Sequence, residues 1–257
     1  MSFLELQDVS VSFSGFLAVD KVSLGVEQGE TRVIIGPNGA GKTTIIDMIT
    51  GKTAPTGGKI LLDGADIAGL DPYEIASKHK VGRKFQGPNL FDCLTVYENI
   101  EVALAGHSSV FKSFVYKRDK AIKEEIKSIL SQINLYNKRD VLSTSLSHGE
   151  RQWLEMGMVI AQKPELITLD EPTAGMTADE TCKTGEMIKT MMKDKTVIVV
   201  EHDIDFVEQI AQKVTVLHQG KLLAEGSFDE VKKNPKVVQV YLKDDDDEEV
   251  EKDARNL

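Results

Sequence analysis

Residues Gly36-Pro37-Asn38-Gly39-Ala40-Gly41-Lys42-Thr43 carry the spacing G-x-x-x-x-G-K-[ST]. The glycines let backbone N–H groups turn inward around phosphate oxygens. Lys42 adds a full charge for the β- and γ-phosphates, and Thr43 offers a hydroxyl to Mg²⁺. A helix opening near Lys42 would aim the positive end of its dipole at the same anion. Far along the chain, Leu166-Ile167-Thr168-Leu169 runs into Asp170-Glu171. Acids at the C-terminal end of an apolar strand sit where open parallel sheets bind ligands. Asp170 would help hold Mg²⁺, and Glu171 would polarise an attacking water. Thr168 interrupts the apolar run but suits a strand. A third stretch, Leu146-Ser147-His148-Gly149-Glu150, precedes a helical run from Arg151. Ser147 and Glu150 have capping-box spacing, and a capped helix start beside a glycine is itself an anion-binding device. Thr95/Glu98, Thr177/Glu180 and Ser227/Glu230 share that spacing, so the serine alone decides little.

These groups need elements to position them. Leu4, Leu6, Val9, Val11 and Phe13 alternate with one slip, which predicts an early strand, and Val22 to Val26 predicts a second. Thr31 to Ile35 is a β-rich run that delivers the glycine loop. A helix is expected from Thr43 to Thr50, with Gly51 placed to end it. Gly58 to Leu62, followed by Asp63-Gly64, reads as strand and turn. From Thr95 to Glu180 the pattern is largely helical, and Ile122, Ile126, Ile129, Leu130 and Ile133 make one apolar face. Leu166 to Leu169 and Thr196 to Val200 read as buried strands. Strands alternating with helices imply a mostly parallel sheet with right-handed crossovers. Val214 to Leu217, Gln219-Gly220 and Leu222 to Ala224 predict a terminal hairpin.

Composition excludes several classes. The 257 residues suit one large α/β domain. No run of about 18 apolar residues exists to span a bilayer, and the first residues do not read as a secretory signal. Cys93 and Cys182 form no disulfide framework and are expected to be reduced. The net charge is -10, of which residues 243–257, with eight acids and three bases, supply half. The remainder is only mildly acidic, which argues against a nucleic-acid surface. The acidic tail is expected to be disordered.

From about residue 3 to 242 the ensemble resembles the ATP-binding-cassette (ABC) family of ATPases. The resemblance implies an α/β P-loop NTPase fold. It would have a mostly parallel RecA-like core sheet, an N-terminal antiparallel β-subdomain and a helical subdomain at about 87–163. The ATPase domain would be 1–242 and the tail 243–257. Catalysis would fall to Glu171, His202 and Gln86. His202 matches the switch histidine after the Val197 strand, and Gln86 the glutamine after the Val81 strand. Nucleotide binding would fall to Phe13, to Gly36, Pro37, Asn38, Gly39, Ala40, Gly41, Lys42, Thr43 and Thr44, and to Ser147 and Gly149. Phe13 matches the aromatic that stacks on adenine, with Phe16 a second candidate. Mg²⁺ would be held by Thr43, Gln86 and Asp170. The family signature is usually Leu-Ser-Gly-Gly-Gln, so His148 and Glu150 depart from it. Thr177 stands where the family has an aspartate, with Asp179 nearby.

The resemblance also implies partners. Two ATPase subunits, alike or different, would dimerise head to tail around ATP. They would drive a membrane permease from the cytoplasmic face and serve a solute-binding protein indirectly. Two stretches, Arg83 to Phe91 and Leu94 to Asn99, look most like importers of branched-chain amino acids and urea. So do Leu146 to Glu155 and Ala174 to Thr177. His148 and the Trp153 context tilt the expectation to urea or a short-chain amide. A branched-chain amino acid importer, a lipopolysaccharide exporter and a non-transport ATP switch are the alternatives.

Overall fold

A computed structural model of the chain describes residues 2–84, 89–105 and 120–240. Gln86 and the acidic tail lie outside the described residues. The chain divides into two compact units, 1–72 with 198–257, and 73–197.

The first unit opens with β1 (Leu4–Phe13) and β2 (Phe16–Val26), an antiparallel hairpin. Ser14 and Gly15 between them both have positive φ, 49° and 88°, the conformation that matches strand twist in a tight hairpin. Leu4, Leu6, Val9 and Val11 are buried. The slip in their alternation is a bulge. Pairing shifts between Leu6 and Val9, where Asp8 turns to φ 47°, and the extra residue returns the apolar side chains to one face. β2 is longer than its Val22–Val26 apolar stretch suggests, because it pairs along all of β1. With β4 (Gly57–Leu62) and β5 (Ala65–Asp66), these strands make a four-stranded sheet in the order β2-β1-β4-β5.

The same unit holds β3 (Thr31–Ile35), α1 (Lys42–Ile49), β9 (Lys213–His218) and β10 (Lys221–Gly226). Helix α1 ends as expected, with Gly51 at φ 77° just past it. β9 runs parallel to β3 and forms the predicted hairpin with β10. β8 (Thr196–Val200) carries the boundary between the units. In the first unit the strand order is β10-β9-β3-β8; in the second it is β8-β7-β6.

The second unit contains α2 (Pro72–Lys78), β6 (Val81–Lys84), α3 (Val96–Ala105), α4 (Lys120–Gln132), α5 (His148–Ala161), β7 (Leu166–Asp170) and α6 (Ala178–Met191). β6 and β7 are parallel, with Lys84 opposite Leu169. Helices α3, α4 and α5 share a core of Ile100, Ile126, Leu130, Leu154 and Met156. Between α4 and α5 the chain is not helical as expected: only short 3₁₀ turns occur, at Tyr136–Lys138 and Ser143–Ser145. Asn134 ends the helical run at φ 57°, a conformation Asn tolerates better than most residues. Helix α2 has no counterpart in the apolar pattern. Of its residues only Ile75 is buried, which leaves no periodic stripe to detect. Short helices α7 (Ile204–Ile210) and α8 (Phe228–Lys232) also belong to the first unit, and residues 235–240 are helical too.

Candidate functional site

The first unit presents the phosphate loop. Strand β3 ends at Ile35 and α1 begins at Lys42, so Gly36 to Gly41 form the connection. Gly41 is the N-cap of α1 at φ 97°, and no side chain caps the helix start. By contrast α5, α6 and α8 each open with a complete capping box, as their spacing predicts. Thr95 and Glu98 form the fourth. An α1 start not closed by a side chain offers its positive end to an anion. Lys42 is buried, and its Nζ donates to the carbonyls of Gly36 at 2.6 Å and Pro37 at 2.9 Å. The loop therefore wraps around the ammonium.

Two glycines fix the loop's fit. A Cβ on Gly36 would lie 2.2 Å from the Leu217 carbonyl oxygen, and one on Gly41 2.8 Å from that of Ala18. Gly220 stitches this region together, its N–H donating to Ala40 O and its carbonyl accepting from Asp20 N. Gly36→Ala is therefore expected to lower stability by about 2–4 kcal/mol through overpacking against backbone. Gly39→Ala, which meets nothing within 4 Å, should cost only the left-handed strain of about 1–2 kcal/mol. Thermal melting of both variants checks the difference. Equal losses would show that the Leu217 contact does not matter.

Two other candidates share this unit. Phe13 and Phe16 pair across the β1–β2 turn and are largely exposed, so either ring is free to stack. His202 follows β8 and is exposed, with Nδ1 3.8 Å from Glu201 Oε2. Sequence reading missed Glu201. It is buried, its N–H donates to Ile34 O, and its carboxylate accepts the His202 N–H at 2.9 Å. The backbone carrying His202 is thus held beside the end of β3. An acid directly before the candidate histidine was the available signal.

The second unit presents the acids. Asp170 ends β7 and is 1% exposed. Arg83 Nη2, from neighbouring β6, lies 3.9 Å from Asp170 Oδ2, a compensating charge that sequence reading did not find. Glu171 has φ 46°. A non-glycine residue there costs of order 1–3 kcal/mol and is typical of functional positions. Thr168 is buried, its hydroxyl 3.5 Å from Gly82 O. Asp170 in this unit offers a carboxylate, and Thr43 in the first unit a hydroxyl; each is an oxygen ligand of the kind Mg²⁺ prefers.

Ser147 is the N-cap of α5, its Oγ accepting from Glu150 N. Burial pushes the Glu150 carboxyl up, but bonds from Lys138 and the Ser147 N–H outweigh it and hold the carboxyl below its usual range. Glu150 closes the capping box as the family's usual Gln also could; what the departure adds is a charge, paired with Lys138 Nζ at 2.6 Å. The departure at His148 has a partner too: Nε2 lies 3.0 Å from Ala174 O. A Cβ on Gly149 would meet the Glu180 carboxylate at 2.6 Å. Glu180 in turn accepts from Thr177 N and Oγ1. Thr177, in the aspartate's usual place, is thus the N-cap of α6.

Comparison with known proteins follows the same lines. A sequence profile described as ABC transporter matches residues 19–174, and one described as Branched-chain amino acid ATP-binding cassette transporter matches 221–242. The high-affinity branched-chain amino acid transport ATP-binding protein BraF of Pseudomonas aeruginosa is 36% identical over 93% of this chain and 97% of its own length. LivG of Escherichia coli, with the same description, is 34% identical over 93% and 97%. An ATP-binding cassette of an ABC transporter in its ADP conformation superposes with a TM-score of 0.81 at 28% identity, covering 94% of this chain and 99% of that one. A dimeric cassette bound to ADP and phosphate gives 0.75 at 25% identity, covering 88% and 98%.

Proposed function

This chain belongs to the ABC transporter family, and on that premise we propose that it powers the uptake of branched-chain amino acids. It is an ATPase with the ABC cassette fold. The observation carrying the cargo assignment is the branched-chain profile at residues 221–242. The near full-length similarity to BraF and LivG supports it. This reverses the order expected from His148 and Trp153, which put urea first.

In this reading Lys42 and the loop N–H groups bind the phosphates. Phe13 or Phe16 stacks on adenine, and Thr44 adds a contact in the first turn of α1. Thr43, Asp170 and Gln86 hold Mg²⁺, which when bound neutralises phosphate charge. Glu171 takes the proton of the attacking water, and His202 contacts the terminal phosphate. Ser147 and Gly149 serve the ATP of a second subunit, alike or different. A permease in the membrane receives the motion, and a solute-binding protein supplies the cargo to it. No helix among the described residues is long and apolar enough to cross a membrane; the subunit works at the cytoplasmic face, docked on its permease.

Uptake tests the cargo. Deleting the gene is expected to abolish high-affinity uptake of labelled leucine and leave that of labelled urea unchanged. Loss of urea uptake with leucine transport intact would reject the proposal in favour of urea.

A further inference from the structure

The phosphate chemistry makes no use of the His148 side chain, yet the second unit builds a seat for it. Ser147 caps α5, and His148 is the first residue of that helix. The residue is exposed, so burial does not hold the ring. What holds it is a contact with the loop that follows Glu171, where Nε2 lies 3.0 Å from Ala174 O. A carbonyl can only accept, so Nε2 carries the hydrogen in this contact. Gln152, one turn further along α5 and 1% exposed, lies 3.3 Å from the same nitrogen and can meet that N–H through its amide oxygen. Gly175 leaves room on the other side: its φ is 73°, and a Cβ there would stand 3.2 Å from Nε2.

The loop that His148 reaches carries the candidate base. It leaves β7 at Asp170 and enters α6 through the Thr177 capping box. Ala174 N donates to Glu171 O at 3.2 Å, and Met176 N to Thr173 O at 3.0 Å. Glu171 stands in this turn at φ 46°, a conformation that persists only where the surroundings impose it. Ala174 therefore closes the turn with its N–H and meets His148 with its carbonyl. A glycine, usual at position 148 in the family signature, has no side chain to supply that donor.

We propose that His148 is a positioning residue for hydrolysis. It fixes Ala174, and with it the turn that sets the Glu171 carboxylate. This rests on reading Glu171 as the group that takes the proton of the attacking water.

Three variants separate the hydrogen bond from the bulk of the ring. His148→Gln keeps an N–H near the place of Nε2, His148→Phe keeps a ring without a donor, and His148→Ala removes both. All three should melt near the wild type, because the residue is exposed. kcat should stay within about threefold in the Gln variant and fall about ten- to a hundredfold in the Phe and Ala variants, the scale of a misplaced catalytic group. Amide hydrogen exchange at Ala174 should quicken in the Phe and Ala variants and not in the Gln variant. In a Glu171→Gln background, His148→Phe should cost at most about threefold more, because a residue that acts through Glu171 has nothing left to position. A full further loss there would overturn the proposal by placing the effect elsewhere, at Ser147. Equal kcat and equal exchange in the Gln and Phe variants would overturn it as well. Glu171→Gln alone is the control. If it turns over at the wild-type rate, the role of Glu171 falls, and His148 is then judged by exchange at Ala174. Faster exchange in the Phe and Ala variants upholds it as the residue that fixes the turn, and equal exchange in all three overturns it.

Discussion

Glu171→Gln is expected to bind ATP as the wild type does and to lose about 10²–10⁴ in kcat, the usual contribution of a positioned general base. The substitution keeps side-chain length and the left-handed backbone at φ 46°; it removes only the capacity to take a proton. The split between binding and turnover is therefore the diagnostic. Single-turnover hydrolysis together with equilibrium nucleotide binding measures both. Turnover near the wild-type rate would strip Glu171 of its assigned role. A loss of ATP affinity in parallel would show instead that the change had disturbed the turn from Glu171 to Ala174, closed by the Ala174 N–H on Glu171 O.

Lys42→Ala is expected to fail at the earlier step. Charge-assisted hydrogen bonds contribute about 1.5–3 kcal/mol each, so ATP affinity should fall by roughly ten- to more than a hundredfold. Lys42 also donates to Gly36 O and Pro37 O, so the empty loop loses two bonds as well. A small fall in melting temperature without nucleotide is expected, and a much larger loss of the stabilisation that ATP confers. Melting curves with and without ATP distinguish the two. Full stabilisation by ATP in Lys42→Ala would show that backbone N–H groups alone bind the phosphates.

The chemistry of the phosphate loop was legible in the chain because it is local. A strand, a glycine turn and a helix start lie in one continuous stretch, and each states its role in residue type and spacing. The same holds for the four capping boxes, which are contacts between residues three apart. The slip after Leu6 was visible too, although only strand pairing identified it as a bulge at Asp8. The cargo was not legible in this way. Subgroup-like segments around His148 and Trp153 favoured urea, whereas similarity over nearly the whole chain favours branched-chain amino acids.

Tertiary structure decided what depends on distant partners. Arg83 stands beside Asp170 because β6 and β7 pair in parallel, with Arg83 opposite Thr168. Glu180 reaches Gly149, and His148 reaches Ala174, only once α5 and α6 have packed. Nothing in the local sequence around Glu155 or Lys84 marks them as partners. Burial makes them an ion pair, since a charge removed from water must find its opposite. Spacing along a chain reports contacts within a turn or a strand. Which buried charge meets which is set by how elements stack, and no local pattern encodes that.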